Sequence, residues 1–220
     1  VVRVQAWALA RERGRLQELR PDIERLVDEY PTLSYLHPVL ASLYSELGLE
    51  AHTREKFEAL ARHDFADLPF DSDWLFQMSL LSEVCASLGD TRNAAKLYEL
   101  LLPHAGCNVL AYPELSLGSA SRYLGLLAST VSRWAEAERH FDAAIEMHAE
   151  MGARPWLSHT QHDYARMLLA HGAPTEVERA LGLVAEALTT YLELGMESWA
   201  KEASELERAL RASTAPRRRR

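Results

Sequence analysis

The sequence predicts an all-α protein, an α-solenoid of about five helical hairpins plus a C-terminal capping helix. Five turn residues, Gly14, Gly48, Gly89, Ser132 and Gly172, each separate one apolar stretch from a second of similar spacing. Nine residues after them stand Ile23, Phe57, Tyr98, Phe141 and Leu181; twelve after them stand Leu26, Leu60, Leu101, Ala144 and Val184. A repeat of this length marks units that cannot bury their apolar faces alone and must stack. No segment alternates apolar and polar residues over a strand length between turn dipeptides such as Asn-Gly.

Proline and glycine set the elements in order. The first hairpin covers about 3–12 and 15–29, with Pro21 expected to kink the second helix or set its true start. The second covers about 35–47 and 50–62, with Ser34 as its cap and Pro38 in the first turn. A loop from His63 to Ser72 carries Phe65, Leu68 and Phe70 and is expected to pack back on the array. The third hairpin, about 73–88 and 91–102, starts from Asp71 or Ser72 and stops at Pro103. A loop with Gly106 and Pro113 leads to the fourth, about 116–131 and 134–150. Pro155 begins the fifth, about 155–171 and 175–193. The final helix, about 196–211, has Trp199, Ala203 and Leu206 on one side and charges on the other, as a solvent-facing cap requires. Residues 1–212 thus form one domain, followed by a disordered basic tail over 213–220. The chain opens inside a helix-like pattern, Val4, Trp7 and Ala8, with no cap before it, which predicts a piece cut from a longer protein.

Composition narrows the function. A net charge of −8 argues against a duplex-binding surface, which needs clustered Lys and Arg. No stretch approaches the ~18 apolar residues of a membrane span, and the N-terminus lacks the pattern of a secretory signal. The two cysteines, Cys85 and Cys107, read as buried thiols, which suits a cytoplasmic location. The tail Arg217-Arg218-Arg219-Arg220 reads as solvated.

The repeats resemble tetratricopeptides, whose period is about 34 residues. The first turn-to-turn spacing is 34, and the later ones are 41, 43 and 40. Leu40-Ala41 and Tyr44 precede Gly48 as that family's first-helix residues precede its turn; Leu124-Gly125, Ala137, Phe141 and Ala144 fit the same template, as do Ala94 and Tyr98. Small residues such as Ala41, Gly125 and Ala137 let two helices approach while Phe and Tyr fill the gap between units. Several stretches are also similar to the C-terminal repeat region of large bacterial ATP-dependent regulators, the LuxR-type transcriptional regulators and cyclase-linked ATPases. These are Leu97–Gly106, Arg122–Ala128, Trp134–Phe141 and Met151–Leu157, then His159-Thr160 and His162–Leu168. That resemblance implies a sensor or scaffold arm of a cytoplasmic regulator, whose repeats bind an inducer or partner and restrain an attached ATPase. The chain itself carries no Gly-x-x-x-x-Gly-Lys-Ser/Thr motif, cyclase domain or DNA-reading helix. The alternative is a stand-alone adaptor joining two proteins.

No catalytic motif emerges. There is no Gly-x-Gly, Gly-x-Ser-x-Gly or His-Glu-x-x-His sequence, so no catalytic residue, cofactor or metal ligand is assigned. His159, His162 and Asp163 share a helix face, but capping and packing explain them better than a metal. In tetratricopeptide-like arrays the first helix of each hairpin lines the groove. That register places Tyr35, Pro38 and Ser42 there, then Phe76, Ser79 and Glu83, then Arg122 and Leu126, then His159, His162 and Arg166. The expected occupant is a protein segment or a small anionic ligand, because Arg grips carboxylate or phosphate in a bidentate way. Pairing of Arg122 and Arg166 with Glu83 and Asp163 competes with that use. A carboxylate clamp of the chaperone-binding kind is not expected, since no Lys falls on a groove helix. The five Trp residues, Trp7, Trp74, Trp134, Trp156 and Trp199, read as inter-repeat packing.

Overall fold

The computed structural model describes residues 2–111 and 115–213. Among them, helices dominate: α1 (Val2–Glu12), α2 (Leu16–Glu29), α3 (Leu36–Glu46), α4 (Glu50–Ala61), α5 (Trp74–Leu88), α6 (Thr91–Leu101), α7 (Ala120–Thr130), α8 (Trp134–Glu150), α9 (Arg154–His171), α10 (Val177–Glu193) and α11 (Glu197–Ser213). The Arg217–Arg220 tail lies outside the described residues. Ser213, placed in that tail by the sequence reading, is the last residue of α11.

The five turn residues share one backbone state. Gly14, Gly48, Gly89, Ser132 and Gly172 all have left-handed φ, between 59° and 73°. After the first four, the next amide N–H bonds the carbonyl five residues back, as Arg15 N does to Ala10 O at 2.8 Å and Arg133 N to Ala128 O at 2.8 Å. This closes a helix by reversing its hand at one residue. Ser132 does so without glycine's freedom, so the close contact of its two helices holds it there.

Odd and even helices have different jobs. α3, α5, α7 and α9 pack each on the next, and α9 packs on α11, making one continuous inner layer. Burial almost all round follows: α7 buries Ala120 through Ala128 without a gap. The even helices lie outside and bury one stripe each. In α8 the stripe is Ala137, Phe141, Ala144 and His148, and in α10 it is Ala180, Val184, Ala187 and Tyr191. The spacing is that of one helix face. Gly125 in α7 faces Phe141 so closely that an added Cβ would stand 2.7 Å from the ring, which is the close approach the small residues predict.

Several local expectations are corrected. The stripe of α10 is Ala180/Val184/Ala187, so the pair Leu181/Val184 is out of register with the earlier units. A 3₁₀ turn, Pro174–Glu176, lies between Gly172 and α10 and delays the helix start. The segment read as a loop and the start of the fourth hairpin contains an antiparallel pair, β1 (Asn108–Ala111) and β2 (Leu115–Ser119), so α7 begins only at Ala120. Its strands are short and bulged between Val109 and Leu110, which hides any alternation, while α5 and α8 cover buried Val109 and Leu117. Helix α2 runs from Leu16 through Pro21, so the proline does not set its start; the helical bond it cannot make is to the exposed residue Gln17. Tyr35, not Ser34, is the α3 N-cap. Asp71 Oδ1 accepts the amide of Asp73, the residue at the α5 N-cap. In the 63–72 loop Phe65 and Leu68 pack inward, while Phe70 is 77% exposed. Cys85 is buried, whereas Cys107 is exposed beside the β-pair.

Candidate functional site

The inner helices bring charged side chains to one cleft of about 330 Å³, walled by α1, α3, α5, α7, α9 and α11. Charged side chains at this depth are costly unless paired, and these find partners on neighbouring helices. They do so in alternation. Arg11 Nε lies 2.6 Å from Glu46 Oε1 and Arg11 Nη2 2.7 Å from Glu83 Oε2. The other oxygen of Glu83 takes Arg122 Nη1 at 2.8 Å. Arg122 Nη2 and Nε reach Asp163 Oδ2 at 2.7 and 2.9 Å, and Asp163 Oδ1 takes Arg166 Nη2 at 2.9 Å. Beyond Arg166 stands Glu202 of α11, which makes no direct ion pair among the described residues. The row runs Glu46, Arg11, Glu83, Arg122, Asp163, Arg166, Glu202, and it begins and ends on a carboxylate.

The electrostatics follow from position in the row. Burial pushes the carboxyl groups of Glu83 and Asp163 up, but each lies between two guanidinium groups, and the net result is a pKa below the usual range. Glu46 has only Arg11 on its side. Burial, with repulsion from Glu83 and Glu12, holds it at about 7. Glu202, an exposed residue whose carboxyl is partly desolvated at the cleft, is likewise raised, against the attraction of Arg166. Arg122 stays charged, because Asp163 and Glu83 outweigh the cost of its burial.

The predicted groove residues separate into three groups. Glu83, Arg122 and Arg166 line the cleft, as do Ser42 and Leu126. Tyr35 and Phe76 do not: they line a second, apolar cleft of about 470 Å³ with Trp7, Leu19, Ile23 and Val39. Trp7 of α1 packs edge-on against Phe76 of α5, and α2 packs on α3, so this second cleft lies between the first helices. His159 and His162 are on the expected helix but lie beneath the cleft, 2% and 6% exposed. His159 Nδ1 meets Tyr191 Oη and Nε2 meets Glu12 Oε2, both at 2.9 Å, and its ring packs edge-on to Trp199 at 4.4 Å. His162 packs near Tyr191 and Trp199 with Nδ1 unpartnered, and burial lowers it to about 4. Among the described residues no group of three His, Cys, Asp or Glu side chains is arranged to hold a metal.

Arg122 is therefore saturated by carboxylates and is not a free anchor. Arg11, Glu46, Trp199 and Glu202 were missed by the groove register. Arg11 and Glu46 stand two or three residues before a turn glycine, at helix ends. Trp199 and Glu202 belong to the capping helix, which forms a wall of the cleft rather than an outer lid. Among the described residues that line the cleft, Ser42 Oγ of α3 and Arg11 Nη1 of α1 are buried without a hydrogen-bond partner, in residues 1% and 5% exposed. Arg11 Nε, although close to Glu46, makes an ion pair without an aligned hydrogen bond.

Fold and cleft together define a class: a predominantly helical protein of paired helices with a polar, charge-alternating cleft in its inner layer. No protein-family model and no curated protein matches the sequence. Among solved structures, the chain is similar to BtubC (BKLC) from P. vanneervenii, at 17% identity over 94% of this chain and 88% of that one, with a TM-score of 0.47. A likeness at that level carries no argument about function.

Proposed function

We propose that the chain is a non-catalytic binding and regulatory module of tetratricopeptide-like repeats, with its partner or ligand in the polar cleft. The observation that carries this is the pair of unpartnered buried groups, Ser42 Oγ and Arg11 Nη1, in residues that line the same cleft. Leaving such groups unmade costs about 1–3 kcal/mol each, so a site that a ligand completes accounts for them. The repeated left-handed turns and helix stripes support the tetratricopeptide-like reading. The family resemblance supports a place as the sensor or scaffold arm of an ATP-dependent regulator, where occupancy of the cleft would favour one packing of the array and so bias an ATPase.

Two measurements test this. The full reading frame decides between arm and adaptor: a contiguous ATPase domain is expected, and a frame without one leaves the adaptor. Binding is tested by hydrogen exchange during titration with blocked tripeptides of lysine, glutamate and leucine. One of them is expected to protect α3, α5 and α11; protection by none of them, or only elsewhere, overturns the cleft reading.

A further inference from the structure

Glu46 and Glu202, the terminal carboxylates of the row, face the same cleft as partly exposed Trp199 and buried Ser42. Glu83 and Asp163 each have two guanidinium partners, while Glu46 has one and Glu202 none within ion-pair distance. Among the cleft's lining residues there are four carboxylates against three arginines. The cleft is thus short of positive charge, contrary to the expectation of an anion site. Ser42 Oγ, unpartnered, can accept from an N–H, and the face of Trp199 favours a cation. Arg11 Nη1 calls for an acceptor in the same molecule.

Resting on the cleft reading above, we infer that the occupant is a cationic peptide, its ammonium or guanidinium groups set against Glu46 at one end of the row and against Glu202 and Trp199 at the other, while a backbone carbonyl accepts from Arg11. A simple diamine supplies the charge without the carbonyl. An acidic peptide supplies acceptors only, and meets the terminal carboxylates.

The pH dependence belongs mainly to Glu46. Facing or underlying the cleft are also Arg11 and Glu12 from α1, Glu83 from α5, Arg122 from α7, His159, His162, Asp163 and Arg166 from α9, and Glu202 from α11. Arg11 and Arg122 stay charged. Glu12, Glu83 and Asp163 are held below their usual range and stay ionised near neutrality, and His162 stays neutral there. Glu46, at about 7, must lose its proton to receive a cation, and Glu202 is raised in the same direction, so affinity rises with pH through neutrality.

The test is calorimetric titration of the full chain, at physiological salt, with acetyl-trilysine amide, cadaverine and acetyl-triglutamate amide. Trilysine is expected to bind tightest, and about tenfold more tightly at about pH 8 than at about pH 6. Glu46→Gln is expected to weaken it roughly tenfold and to remove most of the pH dependence, and Glu202→Gln to weaken it roughly threefold. Glu202 is exposed, so its variant keeps the test valid if loss of the Arg11 partner unfolds Glu46→Gln; thermal midpoints identify that case. Cadaverine equal to trilysine removes the carbonyl contact and leaves a small amine as occupant. Three results overturn the inference: trilysine affinity unchanged in Glu202→Gln, a pH dependence undiminished in folded Glu46→Gln, or tighter binding of triglutamate. That last result would leave the cleft as a binding site and reject only its cationic occupant, whereas protection of the cleft by no tripeptide rejects both.

Discussion

At the scale of single residues, burial decides what each charge does. Arg122 is 3% exposed and compensates two buried carboxylates at once. Arg122→Ala should therefore cost about 3 kcal/mol or more in urea unfolding, because it strands Glu83 and Asp163 rather than removing a surface pair. The histidines give a pH signature. His148 accepts the Ser119 N–H at 2.7 Å through Nε2 and meets Thr160 Oγ1 through Nδ1, and burial, with Arg122 nearby, holds it at about 4. His162 is lowered to a similar value. Both take up protons more readily when unfolded, so their contribution to stability is lost as pH falls from 6.5 toward 4. Glu46 acts oppositely: raised when folded, it adds stability as pH falls from about 7. His162→Phe should remove one of the two opposing histidine terms, gaining roughly 2 kcal/mol more at about pH 5 than at about pH 7 in paired urea titrations.

At the scale of elements, the even helices were legible and the inner ones less so. Tyr98, Phe141 and Ala144 were read from spacing alone and are buried as stripes, because an outer helix meets the core on one side only. An inner helix such as α5 is buried over most of its surface, so its pattern does not say which neighbour each residue meets. The β-pair was invisible because four- and five-residue strands carry too little period. Gly125 shows what the helix pairing demands. Its missing Cβ admits Phe141, whose ring is stacked on Tyr164 at 5.2 Å and cannot swing aside. Gly125→Ala should lower the thermal midpoint, with a net loss of about 1–2 kcal/mol even after the gain of roughly 1 kcal/mol in helix propensity.

At the scale of the whole molecule, the first helix meets the late ones. Glu12 bonds His159 across 147 residues, and the α1–α2 turn stands against α11, where a Cβ on Gly14 would lie 2.8 Å from Ser198 Cβ. Gly14→Ala should destabilise through both its left-handed φ and this contact, and Ser198→Gly should relieve only the second part. A double-mutant cycle by urea unfolding is expected to give a coupling of about 0.5–2 kcal/mol; additivity would mean that the turn and α11 do not touch in solution. This closure explains why half of the candidate site escaped the sequence. Local spacing determined the helices, their turns and the outer stripes, because these depend on residues a few positions apart. It also placed Glu83, Arg122 and Arg166 on the inner face. Only the tertiary structure joined Arg11 of the first helix to Glu83 of the fifth, placed Glu202 and Trp199 of the last helix in the same cleft, and sent Tyr35 and Phe76 to another. Charge pairing between helices far apart in the chain leaves no period to read, and it is this pairing that set the cleft's balance of charge.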